Sequence, residues 1–275
     1  MDAEKRWFSP IQKIKSPICI SSMTPILLSL LLIALLIFMV LVLIQSRQIL
    51  ENAPLLALFF GVYFLDNLTI ILTNRFPSLQ IIPNHIWEGF LVCSWSGKLY
   101  SILFVLALIF LCQSVLNKDA VGLTFHQKEG VVLPAFVVML PLAAWALLVG
   151  FSSPKGKPDL STLIYLATMP GLNEELTYRG YLLGILNSFM PRRFNLFAAP
   201  IGWGVIVTSL LFGLLHGLWM DGNLALHLDG IALRNSAISG FIFAWLRERT
   251  GSLVMPILAH SLEDVLFFLP RMMQI

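Results

Sequence analysis

Charge is scarce in this sequence: 12% of its 275 residues are Asp, Glu, Lys or Arg, against about 25% in a soluble globular chain. With 57% hydrophobic residues and a mean hydropathy of +0.83, that scarcity excludes a soluble fold. Long polar stretches are missing as well. A helical span takes roughly 20 apolar residues plus a connection, so the length holds one membrane domain and no large aqueous one. Cysteine is nearly absent. Cys19, Cys93 and Cys112 are odd in number and show no CxxC spacing, which speaks against a disulfide framework and against a thiolate metal site. The net charge of +3 is small and the basic residues cluster only in the first fifteen positions, so a nucleic-acid partner is not expected. Two catalytic signatures are missing too: no HExxH that would place zinc on one helix, and no GxSxG elbow for a serine nucleophile. Ser261 follows His260 directly, and neighbouring helical residues point about 100° apart rather than at each other.

What the sequence does have is apolar blocks, near 24–45, 53–74, 87–116, 131–151, 160–189, 197–219, 224–246 and 252–269. They are too long and too continuously apolar for barrel strands, and in lipid every backbone group must bond within its own segment. The fold class expected is all-α, a polytopic transmembrane helical bundle of about eight spans. In the third block Trp95 and Lys98 mark a bend or a short interfacial helix before the span proper. Residues 117–130 and 152–159 are polar connections. The first block is about twice as long as a signal-peptide core and has no small-residue cleavage site after it, so it reads as a retained span. Lys5, Arg6, Lys13 and Lys15 precede it, which by the positive-inside rule puts the N-terminus in the cytoplasm. The chain thus divides into a basic segment (1–23), N-terminal spans (24–116) and a membrane core (117–275).

Ionisable residues at membrane depth cost at least about 2.5 to 3.5 kcal/mol each on insertion scales and mark functional sites by default. The N-terminal spans read as apolar almost throughout, whereas the C-terminal ones carry such residues at three places. In Asn173-Glu174-Glu175-Leu176-Thr177-Tyr178-Arg179-Gly180, Glu175 and Arg179 stand i, i+4 and can pair, leaving Glu174 about 100° away and free to act. Phe212-Gly213-Leu214-Leu215-His216 ends an apolar run in a histidine. In His260-Ser261-Leu262-Glu263-Asp264, His260 and Asp264 are again i, i+4, close enough for the carboxylate to orient the imidazole or to share a substrate contact with it. Alone, either histidine reads as a packed helix residue; the combination points to one shared site. It suits peptide hydrolysis, which needs a base for water, stabilisation of the oxyanion and a proton for the leaving amine. Glu174 can be the base. The histidines could orient the water directly or hold a metal that acidifies it. His227 and Asp229 match no motif and read as structural or interfacial.

These residues form a pattern that resembles the CPBP family, which includes the type II CAAX prenyl endopeptidases and the bacterial Abi-type membrane proteins. The matching elements are EExxxR at Glu174, Glu175 and Arg179, FxxxH at Phe212 and His216, and HxxxN/D at His260 and Asp264. The similarity runs on through Gly180-Tyr181-Leu182-Leu183 and from Thr250-Gly251-Ser252-Leu253 through Pro256 to His260. It covers roughly 160–270, with a weaker likeness at Val121-Gly122-Leu123. The resemblance implies that Glu174 is the catalytic glutamate, that Glu175 and Arg179 support it, that His216 and His260 hold the water or a metal, and that Asp264 completes the oxyanion site. A divalent metal such as zinc stays open, with Glu174, His216 and His260 as candidate ligands. Position 264 departs from the asparagine frequent in the prenyl proteases: an ionised aspartate accepts hydrogen bonds and cannot donate one to an oxyanion.

The function expected is therefore an intramembrane endopeptidase of CAAX-processing type acting on a membrane-associated protein or peptide in the lipid bilayer. Its rivals are a non-proteolytic binding or immunity protein of the same fold and a proton-coupled transporter. Inverted repeats would favour the transporter, and none is visible, the N-terminal half lacking ionisable partners for the C-terminal motifs.

Overall fold

A computed structural model of the chain describes residues 23–87, 91–114, 116–151, 156–190 and 192–273. The basic cluster at positions 5–15 and Cys19 lie outside the described residues. The helices are α1 (Thr24–Glu51), α2 (Ala53–Arg75), α3 (Trp95–Leu111), a single turn α4 (Lys118–Val121), α5 (Val132–Phe151), α6 (Leu160–Glu174), α7 (Leu183–Phe189), α8 (Trp203–Gly217), α9 (Gly230–Thr250) and α10 (Val254–Met273). A π-helical stretch, Glu175–Leu182, joins α6 to α7. Among the described residues, three antiparallel strand pairs stand between helices: β1 (His85–Trp87) with β2 (Leu91–Cys93), β3 (Arg192–Leu196) with β4 (Ala199–Gly202), and β5 (Leu218–Met220) with β6 (Leu226–Leu228).

Each of the eight apolar blocks holds a long helical stretch, if α6, the π turn and α7 are taken as one. Residues Thr24–Gln45 of α1, all of α2 and all of α5 are each long and apolar enough to cross a membrane. Helices α3 and α8, with 17 and 15 residues, reach about 25 and 22 Å at 1.5 Å per residue. The starts of three blocks are corrected. Residues 87, 91–94, 197–202 and 224–229 are not helical but belong to the strand pairs and their flanks, because an apolar run shorter than ten residues suits a strand as well as a helix. The 117–130 connection contains the turn α4, capped by the Asn117 side chain.

Local chemistry explains the helix limits. Pro25 and Pro54 lie in the first turns of α1 and α2, where a missing N–H costs nothing. The non-helical Gln45 breaks α1 just where its apolar run ends. Asp159 caps α6 by accepting the Thr162 amide at 2.7 Å, and Asp229 caps α9 by accepting from Ile231 and Ala232. That cap is the structural role expected of Asp229. His227 pairs with Asp221 at 2.9 Å and stacks on Trp219 within the β5–β6 hairpin, also away from the motif residues.

Two glycines set the close approaches that assemble the site. A Cβ on Gly171 of α6 would lie 2.5 Å from Ser261 Oγ and 3.0 Å from the Ile257 carbonyl, so α6 and α10 touch one turn from Glu174 and His260. A Cβ on Gly97 of α3 would lie 2.6 Å from Thr73 Oγ1 and 2.8 Å from the Ile70 Cα, which lets α3 lie against α2.

Candidate active site

The three motifs arrive from α6 and its π extension, from the end of α8 and from the middle of α10. Glu175 and Arg179 form the expected pair, Arg179 Nη1 donating to Glu175 Oε1 at 2.9 Å, with both side chains fully buried. The backbone between them is π rather than α, a widening rare in proteins and frequent at functional sites. Arg179 Nε and Nη2 have no hydrogen-bond acceptor among the described residues. Instead the guanidinium lies 4.2 Å from the Phe212 ring centre and 5.2 Å from that of Phe243, an electrostatic attraction that gains from desolvation.

His260 is the hub. Its ring stacks on Phe243 at 4.9 Å, and Nδ1 lies 2.8 Å from Glu175 Oε1. A carboxylate already paired with arginine is an acceptor, so Nδ1 carries the proton and Nε2 is left for other work. Nε2 lies 3.9 Å from Glu174 Oε2 and 3.8 Å from Asp264 Oδ2. The carboxylate that orients the imidazole is therefore Glu175, 85 positions away, and not the i+4 neighbour Asp264 suggested by spacing. His216 Nδ1 lies 2.8 Å from the Phe212 carbonyl, which only accepts, so here too Nε2 is the free nitrogen.

Glu174 turns the other way. Its Oε1 accepts from Lys98 Nζ at 2.7 Å, and Lys98 also donates to Asn173 Oδ1 at 3.1 Å. Asn173 Nδ2 in turn donates to Asp66 at 3.0 Å and to Ser101 Oγ at 2.8 Å. Asp66 further accepts from Ser101 and from Thr177. Lys98, Asp66 and Ser101 come from α3 and α2 and are buried, which corrects the expectation that the N-terminal half supplies no ionisable partner. The signal was present, since an aspartate inside one apolar block and a lysine inside another are costly unless paired.

Two cavities flank these groups and share Phe212 and His216 in their walls. One, of about 240 Å³, runs past His260, Glu263 and Asp264 between the aromatic side chains Trp145, Phe243 and Phe267. The other, of about 170 Å³, is more polar and reaches Asp66, Lys98 and Glu174. Glu263, which matched no motif position, accepts from Ser239 at 2.7 Å on the rim of the first. Ser261 packs against Gly171.

The candidate metal ligands Glu174, His216 and His260 do not make a three-donor set: among the described residues no group of three His, Cys, Asp or Glu could hold a metal ion. One oxygen of Glu174 and the Nδ1 atoms of both histidines already have protein partners.

Residues 156–266 match the family model described as type II CAAX prenyl endopeptidase Rce1-like. This stretch contains all seven motif residues, and neither curated proteins nor solved structures give a match. Residues 156–266 are thus similar to the CAAX protease (CPBP) family, whose members are helical membrane proteins, and the similarity supports a peptidase.

Proposed function

We propose that the protein is an intramembrane endopeptidase that hydrolyses a peptide bond of a membrane-associated protein or peptide with water activated by Glu174 and His260. The observation that carries this reading is the 3.9 Å between Glu174 Oε2 and His260 Nε2, which one water spans with two hydrogen bonds of about 2.8 Å. Both acceptors draw on the water's protons and leave an oxygen lone pair for the substrate. As that oxygen adds to the carbonyl carbon, Glu174 takes the proton. The same carboxyl then gives it to the peptide nitrogen as the C–N bond breaks, yielding a carboxylic acid, which keeps the water's second proton, and an amine.

The oxyanion needs a donor. His216, with Nδ1 held by Phe212, supplies it from Nε2 when protonated. Asp264, an acceptor when ionised, instead takes a substrate N–H or supports the His260 ring. The aromatic cavity beside His260 receives the substrate chain. The N-terminus faces the cytoplasm, by the positive-inside rule.

Purified protein in detergent, given a panel of membrane-anchored peptides, is expected to release fragments identifiable by mass, with or without a chelator. Loss of cleavage on chelation would instead establish a metal enzyme. The buried Asp66–Asn173–Lys98–Glu174 chain also fits a proton relay. If no peptide were cleaved while proteoliposomes took up protons with a solute, the transporter reading would replace this one.

A further inference from the structure

We infer that Lys98 is a positioning residue for catalysis: from outside the family domain it fixes the Glu174 carboxylate so that one oxygen is tied and the other faces His260. This rests on Glu174 being the base. Lys98 lies in α3, well before residues 156–266, and its side chain is 8% exposed. Two of its three N–H donors are taken, by Glu174 Oε1 at 2.7 Å and by Asn173 Oδ1 at 3.1 Å. Asn173 is held in turn by Asp66 and Ser101, so the ammonium is anchored in a network spanning α2, α3 and α6 and does not swing freely. A glutamate has three rotatable side-chain bonds. With Oε1 pinned, Oε2 stays directed at His260 Nε2, 3.9 Å away. Catalytic groups must be held to about 0.5 Å, and a misplacement of about 1 Å can cost on the order of 100-fold in rate. The N-terminal helices are on this reading part of the catalytic unit and more than a membrane anchor.

The bland reading, a buried ion pair that only holds helices together, makes a different prediction. The test measures kcat, KM and the thermal unfolding midpoint for wild type, Lys98→Met and Thr177→Val, using a peptide that the wild type cleaves. Thr177 donates to Asp66 in the same network, and the Glu174 carboxylate takes its hydrogen bond from Lys98 instead. Lys98→Met is expected to lower kcat about 30- to 100-fold, with KM within about twofold, while Thr177→Val stays within about threefold on both. Should Lys98→Met not fold, Lys98→Gln, which keeps a hydrogen-bond donor, is measured against the same limits. A folded variant at position 98 with kcat within about threefold of wild type overturns the inference, as does a kcat loss equalled by Thr177→Val. Cleavage by wild type and the position 98 variants alike removes this inference only; a wild type that cleaves nothing removes the peptidase reading and this inference with it.

Discussion

Glu174 and Glu175 are neighbours in the chain yet belong to two different regions of the molecule. Glu175 points into the interior of the C-terminal helices, where Arg179 and His260 occupy the same oxygen and no solvent reaches it. Glu174 points toward α3, takes Lys98 on one oxygen and lines the polar cavity. The difference teaches that a pair of like residues acquires two roles from what surrounds each. A carboxylate that is sealed and doubly bonded can orient a histidine but has no access to water. A carboxylate with one oxygen tied and one free at a cavity can accept a proton.

This contrast can be broken from either side. The largest effect is expected on the sealed side: Arg179→Met leaves Glu175 buried without its counter-ion, which costs about 3–5 kcal/mol. Thermal unfolding in detergent should show it as a fall in midpoint, and a wild-type midpoint would mean that the pair is not structural. Lys98→Met, on the open side, should chiefly slow turnover instead.

A smaller effect is expected where α6 begins. Asp159 caps the helix that carries both glutamates, and the bond from the Thr162 amide, aided by the nearby His85, holds its carboxyl below the usual carboxylate range. Its folded-state pKa lies below the unfolded value of about 3.9. The stabilisation is therefore complete above about pH 4 and lost as pH falls through the folded value. Asp159→Ala should cost about 1 kcal/mol at neutral pH, a difference that shrinks in unfolding measurements carried below pH 4. A difference that grew on acidification would contradict the cap.

The smallest effect is expected at Asp264, 3.8 Å from His260 Nε2. Asparagine there regains an amide donor, and Asp264→Asn should raise kcat by about threefold, a change of about 0.6 kcal/mol. A large fall in kcat would show that the charge at this position takes part in the reaction.

Much of this site was legible in the sequence because it depends on helical spacing. Glu175 with Arg179 followed from i, i+4, and the two histidines stood out as polar residues ending or interrupting apolar runs. What escaped was tertiary. His260 has a carboxylate at i+4, yet the α6–α10 contact at Gly171 brings Glu175 closer. Lys98 reaches Glu174 across 76 positions, and no periodicity encodes that. The π widening at Glu175–Leu182 left no mark in the spacing. Strands β1 and β2 resembled the start of a span because a short apolar run is compatible with either structure.

The most direct test is cleavage of a single membrane-anchored peptide by wild type and by Glu174→Gln, both shown to be folded by the same unfolding midpoint. The account predicts a fall in kcat on the order of 100- to 10,000-fold, the range carried by general acid–base catalysis, with binding retained. Near-normal cleavage by Glu174→Gln would contradict it.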